Sequence, residues 1–149
     1  MTRHEKERQA ASALYPLARR WHAAADEALG GLGIKSAAAW CLVHLARLGP
    51  DVRQVDLAEA IGITEPSLAR TVQLVIADGL VERSVDPADR RSSPLRLTAK
   101  GMELAAVAEE RLAALRRELL TGISDADLDR VLGVFASVAA RLGGRRLGL

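Results

Sequence analysis

Gln54-Val55-Asp56-Leu57-Ala58-Glu59-Ala60-Ile61-Gly62-Ile63-Thr64-Glu65-Pro66-Ser67-Leu68-Ala69-Arg70-Thr71 reads as a short helix, a glycine stop and the capped start of a second helix. Val55, Ala58 and Ile61 mark the first helix, which Gly62 stops. Thr64 caps the next, and Pro66 does no harm there because first-turn N–H groups have no partner inside a helix. Leu68, Val72, Val75 and Ile76 form its buried stripe. The opposite stripe is Ser67, Arg70 and Leu74, flanked by Pro66 and Gln73, so small polar groups and one arginine face outward. Gly79 closes this helix. Leu80-Val81-Glu82-Arg83-Ser84-Val85 and Leu95-Arg96-Leu97-Thr98 then alternate apolar with polar residues, as half-buried strands do. Between them, Asp86-Pro87-Ala88-Asp89-Arg90-Arg91 opens a tip rich in turn formers and charge.

Working outward, Leu14, Leu17, Ala18, Trp21, Ala25, Ala28 and Leu29 follow helical spacing up to the Gly30-Gly31 stop. Pro16 inside that helix predicts a kink or a late start. Ser36 is placed to cap a second helix through Leu48, apolar on nearly every side and so central to the core. Beyond the hairpin, Thr98 caps a long helix carrying Met102, Leu104, Ala105, Ala108, Leu112, Leu115 and Leu119. Ser124 begins a last one carrying Leu128, Val131, Leu132, Phe135, Val138 and Leu142. The expected fold is mainly α, a winged helix-turn-helix core with a two-stranded β wing and long terminal helices. It divides into a dimerisation helix over 1–34, a DNA-binding domain over 35–100 and dimerisation helices over 101–149. The terminal helices carry more apolar surface than the small core needs, which predicts a homodimer.

The 149 residues suit one compact domain or an intertwined pair of subdomains, and 49% hydrophobic with 27% charged residues excludes a disordered chain. A formal charge of +2 says little, but between Arg83 and Lys100 five cations face only Asp86 and Asp89. A local excess of that kind suits phosphate. One cysteine rules out an internal disulfide and a multi-thiolate metal site within one chain, and fits the cytoplasm. The N-terminus is too polar for a secretory signal, and no apolar run reaches the roughly 18 to 20 residues that cross a bilayer. His4, His22 and His44 are too dispersed for a metal motif, and no phosphate loop or nucleophile elbow occurs. Neither a cofactor nor enzymatic activity is expected.

A helix sized for the major groove beside a cationic loop points to double-stranded DNA. The candidate contacts on the helix are Thr64, Pro66, Ser67, Arg70, Thr71 and Gln73. Arg70 leads, because a guanidinium can fork onto guanine. Arg90 suits a narrow minor groove, Asp89 braces the wing through an internal ion pair, and Arg91 and Arg96 reach the DNA backbone or hold the hairpin. Two-fold symmetry of the dimer would make the operator a near-palindrome. Trp40 and His44 share one face of their helix, and Arg19, Trp21 and His22 come from the helix before it. That indole wall with polar groups around it suits a small aromatic or phenolic ligand, though the same residues serve equally well as core. Cys41, among Ala38, Ala39, Leu42 and Leu45, is expected to be inert.

The quoted run, together with Gly79-Leu80-Val81, Asp89-Arg90-Arg91 and Leu95-Arg96-Leu97-Thr98-Ala99-Lys100-Gly101, resembles the MarR family of winged-helix regulators, closest to its SlyA branch. Trp21, the Trp40 to His44 spacing and Glu118-Leu119-Leu120-Thr121-Gly122-Ile123-Ser124 resemble that branch too, so the likeness spans almost the whole chain. It implies an obligate dimer with intertwined first, fifth and sixth helices, and salicylate-like acids held between the DNA-binding lobes and the dimer helices. Two other uses fit the same elements. One is a winged helix that docks a protein, the other a DNA-binding protein without a ligand.

Overall fold

In the computed structural model, residues 1–85, 87–89 and 91–143 are described. Six helices and one hairpin follow in the order α1 (Arg3–Ala28), α2 (Ser36–Leu48), α3 (Gln54–Ile61), α4 (Glu65–Ala77), β1 (Val81–Arg83), β2 (Leu95–Leu97), α5 (Ala99–Leu119) and α6 (Asp125–Leu142). The expected winged helix is therefore present. Its local punctuation is chemical: the hydroxyls of Thr64, Thr98 and Ser124 each accept the backbone N–H three residues on, and Gly62 takes the left-handed conformation that ends α3.

Four local expectations need correction. Helix α1 does not start late. It begins at Arg3 behind a reciprocal cap between Thr2 and Glu5, and runs through Pro16. The carbonyl that Pro16 cannot bond belongs to exposed Ser12, where water can serve it. Ser36 is the first helical residue rather than the cap, which is the extended Lys35 with no side-chain bond. Val55 is exposed, and the buried residues of α3 are Leu57 and Ala58. The strands are three residues each, and β2 also pairs with Val52, whose N–H and C=O exchange bonds with Leu95 at 2.9 and 2.7 Å. A lone valine between charged residues carries no alternation from which that pairing could be read.

The apolar interior has two parts. Leu42, Leu45, Leu57, Leu68, Val72, Val75, Leu80 and Leu95 lie in the core of the winged helix, while Ala25, Leu29, Ala39, Val43, Ala108 and Leu112 join α1, α2 and α5. Helix α2 supplies residues to both. By contrast α6 buries nothing within its own chain: Val131, Leu132, Val134, Phe135 and Val138 are exposed, as are Leu14, Tyr15 and Leu17 of α1. An apolar cleft of about 1350 Å3 runs between the two helices.

Where α5 leaves the wing, Gly101 is buried against the preceding chain, and a Cβ there would lie 1.9 Å from the Leu80 carbonyl oxygen. That oxygen already accepts the Thr98 N–H at 3.1 Å. Alanine is the better helix former by about 1 kcal/mol, but backbone cannot yield as a flexible side chain can. Gly101→Ala should therefore lose roughly 1–3 kcal/mol of unfolding free energy, read as a lower urea midpoint at unchanged slope; an equal or higher midpoint would show that α5 can slide away.

Candidate nucleic-acid interface

Burial of Leu68, Val72 and Val75 fixes the rotation of α4 and leaves Pro66, Ser67, Arg70, Gln73 and Leu74 exposed along the opposite side. Among the described residues Arg70 makes no ion pair, so its guanidinium is free to meet a ligand. Thr64 is committed to the cap: its Oγ accepts the Ser67 N–H at 3.3 Å and donates to Ser67 Oγ at 3.0 Å. Thr71 is half-buried beside the stripe.

The cationic segment divides by function. Arg96 donates Nε and Nη2 to Asp51 Oδ1 at 3.1 and 2.6 Å, and Ser84 Oγ donates to the same oxygen at 2.8 Å. Arg83 donates to Gln54 Oε1 at 2.9 Å and to the Ser93 carbonyl at 3.2 Å, and Lys100 Nζ donates to the Asp78 carbonyl at 3.1 Å. These three side chains hold the hairpin and the end of α4 to the body. Arg91 is exposed, and among the described residues its guanidinium makes no ion pair. Asp89 Oδ1 accepts the Arg91 N–H at 3.0 Å within the tip, and the ion pair expected of it is not among those of the described residues. Arg90 lies outside the described residues. Asp51, which ties both strands, was missed, and its only sequence signal is a turn acid directly after Gly49-Pro50.

Of the aromatic group, His22, Trp40 and His44 come together. The His22 ring stacks on the Trp40 indole at 5.4 Å and 12°, and the His44 ring is tilted to the same indole by 35° at 5.9 Å. Asp26 completes the set, accepting Trp40 Nε1–H at 2.9 Å and standing 3.6 Å from His22 Nε2. Sequence reasoning overlooked Asp26, although its place four residues after His22 puts both on one face of α1. Arg19 does not join; it lies over the Tyr15 ring at 6.0 Å. Trp21, next to His22 in a helix, points about 100° away and is half-buried. A mostly apolar cavity of about 690 Å3 lies between α2, β2 and α5, with Val43, Ala46, Leu97 and Met102 in its wall and Arg47, Arg96 and Glu109 bringing charge.

Comparison with known proteins agrees with this architecture. The MarR family profile matches residues 32–92. The crystal structure of the transcriptional regulator PA3341 is similar at 33% identity and a TM-score of 0.84, covering 91% of this chain and 98% of that one. CouR from Rhodococcus jostii, solved bound to p-coumaroyl-CoA, is 25% identical with a TM-score of 0.76 over 85% of this chain and 89% of its own. A mutant MarR from E. coli complexed with operator DNA shares the fold at a TM-score of 0.73 and 18% identity, over 93% of this chain and 99% of its own. The chain belongs to the MarR family of winged-helix transcriptional regulators. No described helix is long and apolar enough to cross a membrane.

Two titratable groups of α2 are shifted by their surroundings, the buried Cys41 and the half-buried His44. Burial pushes the Cys41 thiol up to about 12, so thiolate chemistry is suppressed at neutral pH. Burial, and then Arg47, hold the His44 imidazole below its ordinary 6.5, with Glu109 pulling the other way. A depressed histidine resists a proton that the unfolded chain accepts, so this contribution is complete at neutral pH and is lost as pH falls below about 6.5. Unfolding free energy in urea should therefore decline more steeply between about pH 7 and pH 5 in the wild type than in His44→Gln; parallel profiles would mean that His44 takes up its proton at the same pH folded as unfolded.

Proposed function

We propose that the protein is a homodimeric, SlyA-like repressor that reads a near-palindromic operator and releases it when a small amphipathic ligand binds. The observation that carries this reading is the exposed α4 stripe of Ser67, Arg70 and Gln73, with Arg70 making no ion pair among the described residues, beside a hairpin anchored by Arg83 and Arg96. A guanidinium held ready on a rigid helix can fork onto a guanine edge without first giving up a carboxylate partner. Arg91 takes a phosphate, and Arg90 enters the minor groove, the latter on the sequence alone. Thr64, Pro66 and Thr71 shape and support the helix end rather than lead the contact.

Dimerisation follows from the exposed apolar residues of α1 and α6 and the cleft between them, which a second copy would cover. Symmetry then sets two α4 helices in successive major grooves, about 34 Å apart. For the ligand, the cavity between α2, β2 and α5 is a better receptacle than the Trp40 face, where Asp26 already takes the indole N–H and repels an acid. An aromatic body against Val43, Ala46 and Met102 with a polar end toward Arg47 or Arg96 suits that wall. Such a ligand moves the reading heads only by favouring one spacing over another.

Gel-shift titrations on a duplex selected from a random pool should separate the roles. Arg70→Ala should cost about 1–3 kcal/mol and relax discrimination at one position, whereas Arg91→Ala should weaken all duplexes alike and lower the salt slope by about one. Absence of any duplex binding by the wild type at low ionic strength would overturn the proposal. Phe135→Asp should convert a dimer to a monomer in sedimentation equilibrium and abolish tight binding with it; a wild type that sediments as a monomer removes the two-fold operator.

A further inference from the structure

We infer that Asp51 is the positioning residue of the wing: it fixes the angle between the hairpin and α4, and through that angle the strength with which DNA is held. The inference rests on the DNA-binding reading above. Asp51 stands in the turn between α2 and α3 at φ 58°, the one residue other than glycine among those described with a positive φ. Aspartate tolerates this conformation better than most residues, but glycine would adopt it freely. Backbone geometry alone therefore does not account for a carboxylate at this position. Its bonds do. A single oxygen, Oδ1, accepts from Arg96 of β2 twice and from Ser84, the residue after β1, so both arms of the hairpin close on one atom.

The neighbouring residues show what that atom adds. Val52 bonds Leu95 through two backbone hydrogen bonds, and Arg83 reaches Gln54 at the start of α3. Val81 and Leu95 seat the hairpin in the core, and residues 51–54 add polar ties to its arms. The two-bond bridge at Val52 and that apolar seat hold the base of the ribbon, while Asp51 gathers Arg96 of β2 and Ser84 beyond β1 onto one atom and so restrains the tilt of the arms. The Arg96 and Ser84 hydrogen bonds hold its carboxyl below the usual range, so it stays ionised in that role.

The Arg96–Asp51 pair is solvent-exposed, with about half of each side chain open to water. Exposed pairs add little to folding stability. Orientation of a flap that must meet a groove is a smaller demand, and a pair of this strength can meet it. Positioning and folding are therefore separable by substitution. Asp51→Gly removes the carboxylate while relieving the positive φ, and Asp51→Asn keeps the shape and an acceptor but loses the charge. Arg96→Gln attacks the contact from its other end.

The test uses the full chain and a duplex selected by the wild type from a random pool, with thermal unfolding measured beside affinity. In Asp51→Gly the melting temperature should hold while affinity falls roughly two- to fivefold, the scale of one exposed charge pair lost from a preorganised binder. Hydroxyl-radical footprints should lose the flanking protection given by the wing and keep the protection given by α4. Asp51→Asn should fall between glycine and wild type, and Arg96→Gln should reproduce the glycine footprint. Unchanged affinity and footprint in Asp51→Gly would overturn the inference, as would a loss of melting temperature with flank and centre fading together, the mark of a merely structural residue. A wild type that selects no duplex would sink the DNA-binding reading itself, and this inference with it; the other two failures leave that reading intact.

Discussion

Helix α2 is buried around most of its circumference, and the two apolar clusters meet through it. Cys41, Leu42 and Leu45 face the winged helix, while Ala39 and Val43 face α1 and α5. A helix packed on both sides cannot turn or slide without opening one cluster, since interiors at crystal-like density leave no slack. The reading element α4 and the terminal helices are therefore fixed to one shared rod. The Arg47 guanidinium, reaching Glu109 of α5 at 2.8 Å, and the Trp40 indole, bonded to Asp26 of α1 at 2.9 Å, fasten the same rod where it emerges into water.

Around that rod, charge is used in two ways that the composition does not distinguish. Arg83, Arg96 and Lys100 are spent inside the protein, on Gln54, Asp51 and the end of α4. Among the described residues, the Arg70 and Arg91 guanidinium groups make no ion pair. The excess of cations over acids near the wing is thus partly scaffold, and the electrostatic pull on a polyanion comes from fewer groups than a count of arginines suggests. This division also links the cavity to the wing, because Arg96 lines the one and holds the other.

What the sequence made legible was local chemistry. The caps at Thr64, Thr98 and Ser124 depend on atoms three residues away, and the buried stripe of α4 on a period of 3.6, so both could be read from short windows. The order of elements and the exposed face that carries Ser67, Arg70 and Gln73 followed from these. The contacts that were missed join distant segments: Arg96 to Asp51 across 45 positions and Arg83 to Gln54 across 29. No periodicity marks such a pair. The late start expected at Pro16 failed for the opposite reason. A local rule about broken backbone bonds was applied where solvent is at hand to repair them, so the helix simply continues.

The last helix has a consequence for the life of the chain. With no buried residue of its own, α6 has little beyond intrinsic propensity to hold it in a lone copy, whereas most helical stability in proteins comes from packing an amphipathic face. Should a second copy provide its shelter, the shape of these ends becomes a matter of abundance: scarce chains would carry frayed, adhesive tails open to proteases, and only cells that keep enough of the protein would hold it whole.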